Sequence, residues 1–544
     1  MKIRILYVVM LSLFSGVLFA QAEPFEPTRE SLSNYEVPEW YEDAKIGFFY
    51  HWGPQTALGD KWNEDISDFC LQKGKYEDSN TGIKNPVGQW AKHMYPNMKN
   101  GVLLPDSKQP TAYHLHKRLF GDPKEFGYKD LIPLMSSDGF EPERMVRLLD
   151  EAGVKYIVPQ AIHHDGFAMW DSKVIDEFNA AKMGPKRNTT KEVIDAARKR
   201  GLKVGVSTHA SRHSRYYKKL EGYDTSDPRY DQLYGIGLDE KGLPKRYSVQ
   251  KWENTLGELV DLFQPDYIFV DGGSADVFCQ SGSYMWQDAF RRVLANYYNK
   301  AAAGGWEPVL TFKRESLWKE EAVPDYEAGY LVDIAPYKWQ THASICGWFY
   351  RPGRGRRTPS PILFSKIIDT VSKNGNILLN LAIRTDGSMQ DTEVEFLKEL
   401  AVWTKVNGEG IYATRPWLTF GEFEGGELQG FVSKDDSKGI VYRDPDKVAM
   451  GRYKLNGGDI RYTRSKDGKA IYATRLAWPE EPFTLTSFGA DAVGKDVQIA
   501  SVDLLGSDEQ VAWKRSAEGL VITPPTKPVF EDPEWPVMFK VLTK

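Results

Sequence analysis

From about Trp40 to Val406 the chain is paced by short apolar runs that do not alternate with polar residues. They are "IGFFYHW" (46–52), "KYIVPQAI" (155–162), "LKVGVSTH" (202–209), "PDYIFVDG" (265–272), "EPVLTFK" (307–313) and "NILLNLAI" (376–383). A strand that is apolar on both faces has to be covered on both, which is the condition of a parallel sheet wrapped by helices. Helix-period stretches fill the gaps, among them "TTKEVIDAARKRG" (189–201), closed by Gly201, and "ENTLGELVDLFQ" (253–264). Repeated strand–helix units over this length predict a (β/α)8-type barrel with long loop insertions, the largest spanning about 55–135. An open doubly wound sheet is the alternative, but no GxGxxG follows an early strand. After "NGEGIYATRPW" (407–417) the texture changes to short alternating runs such as "GELQGFVS", "AIYATRLAW" and "VMFKVLTK", separated by turn residues, which predicts a β-sandwich. The expected organisation is therefore a barrel domain over 23–417 and a sandwich over 418–544.

Residues 1–22 carry Lys2 and Arg4, an apolar run and then Ala20-Gln21-Ala22, the pattern of a cleavable secretory signal with a cut after Ala22. This predicts a periplasmic or secreted protein with no membrane attachment once the signal is removed. The three cysteines, Cys70, Cys279 and Cys346, are too few and too scattered for a disulfide framework or a CxxC metal pattern. A net charge of -5 over 544 residues gives no basis for nucleic-acid binding. Aromatic residues at 13%, with 16 Trp and 28 Tyr, mildly favour a carbohydrate partner, because flat rings stack on the C–H faces of sugars. A homo-oligomer is left open by the sequence.

In a barrel of this kind the reactive groups lie just past the C-terminal ends of the strands. That rule collects His51 after "GFFY", His163 and His164 after "VPQAI", His209 after "VGVST", Asp271 after "YIFV" and Arg314 after "LTFK". Asp271 stands out, as a carboxylate delivered by a buried strand and followed by glycines; a cation such as Arg314 would hold it ionised. A second carboxylate in a drier place could serve as an acid, with Glu315, Glu320, Glu321, Asp325, Glu327 and Asp333 as candidates that composition does not separate.

The blocks "WYEDAKIGFFYHWG", "HHDGFAMWDS", "MGPKRNTTKEVIDAARKRGLKVGV", "QPDYIFVDG" and "VSKNGNILLNLAIRTDG" resemble, in order, the signatures of the retaining α-L-fucosidases, glycoside hydrolase family 29. The resemblance implies a barrel, a double-displacement mechanism and no metal or other cofactor. It implies Asp271 as the nucleophile, and His51, His163 and His164 as partners of the sugar hydroxyls. Trp90 in "GQWAKHMYP" resembles a tryptophan lining the same subsite, and Trp348 in "CGWFY" resembles the family's Trp-Gly-Tyr with Phe349 in place of the glycine. Arg314 resembles an arginine near the nucleophile, although the usual Asn-Asp-Arg is here Phe312-Lys313-Arg314. "VPDYEAGYL" resembles the segment that bears the acid/base, which points to Glu327.

One departure bears on the substrate. Where many members carry Tyr-Tyr-Ser or Tyr-His-Ser, this chain has "VSTHAS" (206–211), so His209 takes a substrate-binding position with different chemistry. L-Galactose differs from L-fucose by one hydroxyl at C6, and His209 or His213 could bond it; a site that bonds a hydroxyl discriminates strongly for it. The expected function is exo-acting release of terminal α-L-fucosyl residues, with an exo-α-L-galactosidase on algal galactan, a silent sugar-binding protein and a metal-dependent hydrolase as the alternatives. As a metal site His163-His164-Asp165 fails, since neighbours at a strand end diverge, and His114-x-His116 lacks a third ligand.

Overall fold

The computed structural model describes residues 23–61, 90–237, 245–271, 285–313, 316–351, 356, 358–424, 432–433, 450–452 and 454–544. Eight parallel strands close into a barrel: β1 (Ile46–His51), β2 (Tyr156–Val158 and Gln160–Ile162, interrupted by Pro159), β3 (Lys203–Thr208), β4 (Tyr267–Val270), β5 (Val309–Lys313), β6 (Val323–Glu327), β7 (Trp339–Ser344) and β8 (Gly375–Ala382). Each pairs in parallel with the next, and β8 returns to β1 with Ile46 beside Ile377 and His51 beside Ala382.

The outer ring is made by α1 (Pro142–Glu151), α2 (Thr189–Lys199), α3 (Arg246–Phe263), α4 (Met285–Gly304), α5 (Ser360–Ser372) and α6 (Asp391–Asn407). Asn188 caps α2 by accepting from the Lys191 amide, and Arg198 and Lys199 sit in its last turn, where cations oppose the dipole favourably. Between β5 and β6, and between β6 and β7, no α-helix occurs among the described residues. These two strands are the ones that apolar runs do not reveal. "VPDYE" and "WQTHAS" carry Asp325, Glu327, Gln340 and His342, because on this side the barrel interior is polar.

That interior is layered. At the N-terminal end Tyr41, Tyr156 and Tyr267 converge on Gln340, donating to its Oε1 at 2.9, 3.3 and 3.0 Å. Gln340 Nε2 donates to Asp325 at 2.7 Å, and the other oxygen of Asp325 meets His342 Nδ1 at 2.6 Å. Gly47 makes room for this layer, since a Cβ there would lie 2.2 Å from the Tyr156 ring. The apolar wall between the strands and the helices is filled by such residues as Phe48, Ile157, Val204, Ile268, Leu310 and Leu379.

Two antiparallel sheets make up most of the described C-terminal domain, and a third, small one pairs Val432–Ser433 and Met450–Arg452 with Tyr330–Leu331 of the barrel region. One has five strands, β9 (Thr414–Glu422), β10 (Ile460–Ser465), β11 (Ala470–Arg475), β13 (Ile499–Leu504) and β16 (Val537–Thr543), in the order β9-β10-β11-β16-β13. The other has β12 (Phe483–Leu485), β14 (Ala512–Arg515) and β15 (Leu520–Thr523), with β15 in the middle. A buried ionic triad joins the domains: Asp369 on α5 accepts from Lys373 Nζ at 2.8 Å and from Arg461 Nε of β10 at 2.6 Å. Without the Asp369 charge the two cations would lose their nearest carboxylate, and Arg461 would keep Asp459 only at 3.7 Å. Asp369→Asn should therefore cost roughly 3–5 kcal/mol, read as a lower midpoint in chemical denaturation followed by near-UV circular dichroism. A midpoint unchanged from the parent would mean that water or another carboxylate reaches the two cations.

Candidate active site

The mouth at the C-terminal ends of the strands is organised around Asp271, the residue that follows β4. Its Oδ2 accepts from His209 Nδ1 at 2.9 Å and lies 3.3 Å from His164 Nε2; its Oδ1 lies 2.6 Å from Lys313 Nζ. Lys313 ends β5, and its ammonium also reaches Glu327 Oε2, the last residue of β6, at 3.0 Å. Burial pushes the Asp271 carboxyl up, but the Lys313 ammonium and the hydrogen bonds from His164 and His209 outweigh it and hold the group well below the usual carboxylate range. The same ammonium is the main cause of Glu327 being held down to about 2, against the opposing effect of burial. Burial disfavours the Lys313 charge, yet the charges of Asp271, Glu327 and Asp325 raise it above the ordinary lysine range. Lys313 is thus the shared counter-ion of two carboxylates whose oxygens can be no farther apart than the sum of the two contacts.

Histidines wall the rest of the mouth. His51 ends β1 and meets Asn380 Oδ1 at 2.6 Å; Asn380 is oriented by donating its Nδ2 to Gly347 O and Trp348 O at 2.7 and 3.0 Å. That orientation makes Oδ1 the acceptor and places the His51 proton on Nδ1. His164 donates Nδ1–H to His209 O at 2.5 Å. His163 meets Gln55 Nε2 at 3.5 Å, a long contact. The ring centres of His51, His163 and His209 lie 4.9, 4.7 and 5.5 Å apart in pairs. Burial holds His51 and His163 well below the ordinary histidine range and His209 down to about 4, although Asp271 partly counters the last, so these rings are neutral near pH 7. Half-buried Trp348 leans on His342 and His51, with centroids 5.2 and 5.8 Å away, and Phe349 meets His51 and His163 edge to face at 5.2 and 4.8 Å. The result is a pocket with an anion at its floor, a second carboxylate at its rim, neutral imidazoles along one side and aromatic rings along the other.

The structure brings together Asp271, Glu327, His51, His163, His164, His209 and Trp348. Trp90 opens a short helix, Trp90–His93, but its side chain lies outside the described residues, as does Arg314. Arg314 is the cation expected beside Asp271; among the described residues the cation found there is Lys313. Side chains alternate along a strand, so Lys313 shares the inward face with Val309 and Thr311, and period-2 reasoning applied to "VLTFK" would have found it. Asn380, Phe349 and the Asp325–His342 pair carry no comparable sequence signal. Asp165 is not part of the wall: its carboxylate accepts from the Tyr128 hydroxyl and the Phe167 amide. His213 is turned away as well, with Nε2 on Leu233 O at 2.6 Å and its ring filling the space where Gly166, at φ +83°, would carry a Cβ. Glu321 is committed to Arg291 at 2.8 Å, and Glu315 lies outside the described residues. His114 and His116 diverge, one to Asp106 O and the other to Phe126 O.

Two carboxylates within reach of one cation, at the mouth of a (β/α)8 barrel lined by imidazole and indole, define a glycoside hydrolase type of site. The comparisons agree. The sequence model of the alpha-L-fucosidase family matches residues 13–409, and that of the alpha-L-fucosidase C-terminal domain matches 455–542. The chain belongs to the α-L-fucosidase family, glycoside hydrolase family 29. Human plasma alpha-L-fucosidase is 26% identical over 508 residues, covering 90% of this chain and 86% of that one. The plasma alpha-L-fucosidase of Rattus norvegicus is 25% identical over 548 residues, covering 97% and 96%. Among solved structures, Thermotoga maritima alpha-fucosidase in complex with fucose superposes with a TM-score of 0.66 at 22% identity, covering 95% of this chain and 100% of that one. Alpha-L-fucosidase isoenzyme 1 from Paenibacillus thiaminolyticus gives a TM-score of 0.62 at 16% identity, covering 95% and 99%.

Proposed function

We propose that this protein is an exo-acting, retaining α-L-fucosidase that releases terminal L-fucose from oligo- or polysaccharides, with Asp271 as nucleophile and Glu327 as acid/base. The observation that carries the reading is the spacing of the two carboxylates across Lys313. Contacts of 2.6 and 3.0 Å to one nitrogen keep the two facing oxygens close, which suits a retaining pair, about 5–5.5 Å apart, better than an inverting pair that holds a water across about 6.5–9.5 Å. Asp271 attacks the anomeric carbon as Glu327 protonates the leaving oxygen; a glycosyl ester forms, and Glu327 then draws the proton from water that cleaves it. His51, His163 and His209 supply a row of neutral donors and acceptors suited to sugar hydroxyls. Export from the cytoplasm follows the basic and apolar pattern of residues 1–22.

The resting contacts set a condition on this chemistry. Glu327 paired with Lys313 is ionised and cannot donate a proton, so substrate entry has to break that contact and let Glu327 take one up. Lys313 likewise covers Asp271 Oδ1, whereas Oδ2 is held by His209; displacement of the ammonium frees Oδ1 as the attacking atom. Removing the ammonium raises the pKa of both carboxylates. In Lys313→Met both limbs of the kcat/KM–pH profile on an aryl α-L-fucoside should therefore move to higher pH, while the maximum falls by about 10²–10³-fold. A profile that keeps its position would remove Lys313 from control of the pair.

A second reading, α-L-galactosidase activity with the same mechanism, is favoured by one feature. Among the described residues His209 Nε2 is buried without a hydrogen-bond partner, and its ring lies beside His51 and His163, where an added hydroxyl could find it. Aryl α-L-fucoside and aryl α-L-galactoside compared side by side decide between the two, and a fucoside preference is expected. Better kcat/KM on the galactoside would transfer the assignment; turnover of neither would favour a silent binder. Retention is tested separately. Asp271→Gly should lose on the order of 10⁴–10⁶-fold in kcat and, given azide, form the β-L-fucosyl azide from the face the carboxylate has left. An α-azide would contradict it.

A further inference from the structure

We propose that His51, His163 and His209 form a binding site for a borderline divalent transition-metal ion, Zn²⁺ or Cu²⁺, which occupies the sugar pocket and inhibits the enzyme. One ring nitrogen from each histidine lies within 4.8 Å of the other two, and all three rings are buried. A tetrahedral zinc about 2.0–2.1 Å from three imidazole nitrogens puts those nitrogens about 3.4 Å apart and the ring centres about 5 Å apart. The observed separations of 4.9, 4.7 and 5.5 Å already match the second figure, so ring rotation is what remains to close the first.

Protonation is arranged for it as well. A metal takes the bare nitrogen of a neutral imidazole whose other nitrogen donates to an oxygen. His51 donates Nδ1–H to Asn380 Oδ1 and His209 donates Nδ1–H to the Asp271 carboxylate, so both turn a lone pair on Nε2 to the pocket. The second is the carboxylate–histidine pairing that strengthens a metal ligand. His209 Nε2 has no partner among the described residues, which a sugar hydroxyl or a metal would each correct. The contact of His163 with Gln55 Nε2, at 3.5 Å, is too long to fix its tautomer against coordination. A water or a sugar hydroxyl would complete four-coordination. The other nearby trio, His164, His209 and Asp271, is less suited, because its contacts are spent on one another.

This histidine face is also the wall that the proposed function gives to the sugar, so metal and substrate exclude each other; that part of the inference rests on the fucosidase reading, and the metal site itself does not. Zinc is titrated into the chain of residues 23–544 against a chromophoric chelator, with Co²⁺ used in parallel for its visible tetrahedral absorption. One ion per chain is expected. His51→Gln and His209→Gln should each weaken binding by about 100-fold or more and abolish the Co²⁺ bands, while Asn380→Ala, which only orients His51, should weaken it about tenfold. On an aryl α-L-fucoside, Zn²⁺ should raise KM, leave kcat unchanged and be reversed by EDTA. Binding that survives in the His51/His209 double variant, or no binding at all, overturns the site; a fall in kcat at constant KM overturns its place in the sugar pocket. A chain that binds one zinc through these residues yet cleaves no fucoside would sink the proposed function and leave the site standing.

Discussion

A carboxylate half-buried at the floor of a barrel is tolerable only if its surroundings replace the water it has lost, and the pocket is arranged around meeting that demand for Asp271. Uncompensated, such an ion costs several kcal/mol even after relaxation. Here β3 brings His209, the loop after β2 brings His164 and β5 brings Lys313, so three neighbouring segments of the ring converge on two oxygen atoms. The protein backbone adds to this, since Ser211 Oγ holds Asp271 O at 2.7 Å and the Asp271 amide is tied to Thr208 O. The need for several donors at one point explains why the mouth is rich in histidine, a side chain that is compact and either donor or acceptor as its tautomer dictates.

The same constraint reaches down the barrel. Lys313 balances Asp271 and Glu327 at the top, and its charge is supported from below by Asp325, itself held between Gln340 and His342. Gln340 is in turn fixed by three tyrosine hydroxyls. A ladder of polar groups therefore replaces part of the layered aliphatic filling usual for such a barrel, beside a cluster that includes Phe49, Val158, Phe269, Val309 and Leu378. Every member has a partner, which is what makes a buried polar ladder stabilising rather than a defect. It also fixes the geometry of the pocket: His342 presses on Trp348, whose carbonyl orients Asn380, which orients His51.

How much of this the sequence discloses follows from what each residue has to do. Six barrel strands were legible because their outward faces and much of their inward faces are apolar; β6 and β7 were not, because Asp325, Gln340 and His342 belong to the ladder and break the run. Asp271 and the histidines were legible because they stand at, or one or two residues past, the end of an apolar strand. Lys313 is a strand residue, inside the run "EPVLTFK", and was passed over in favour of Arg314 next to it. His213 was offered as a partner for the C6 hydroxyl, but position in the sequence says nothing about which way a side chain turns, and its imidazole goes to Leu233 O.

The histidine wall has two-sided chemistry. For a sugar, neutral rings are useful because they add no second cation beside Lys313, and because His51 and His209, whose Nδ1 protons go to Asn380 and Asp271, keep a bare Nε2 that can accept from a hydroxyl. Burial keeps them neutral, and Asn380 and Asp271 fix two of their tautomers, yet a neutral imidazole with a fixed tautomer and a bare nitrogen is also what a borderline metal ion prefers. Preorganising the pocket for hydroxyls thus builds affinity for a cation as a by-product. Replacing His209 by tyrosine would remove one ligand and one acceptor together. On this argument His209 would govern both which hexose enters and whether a metal can exclude it.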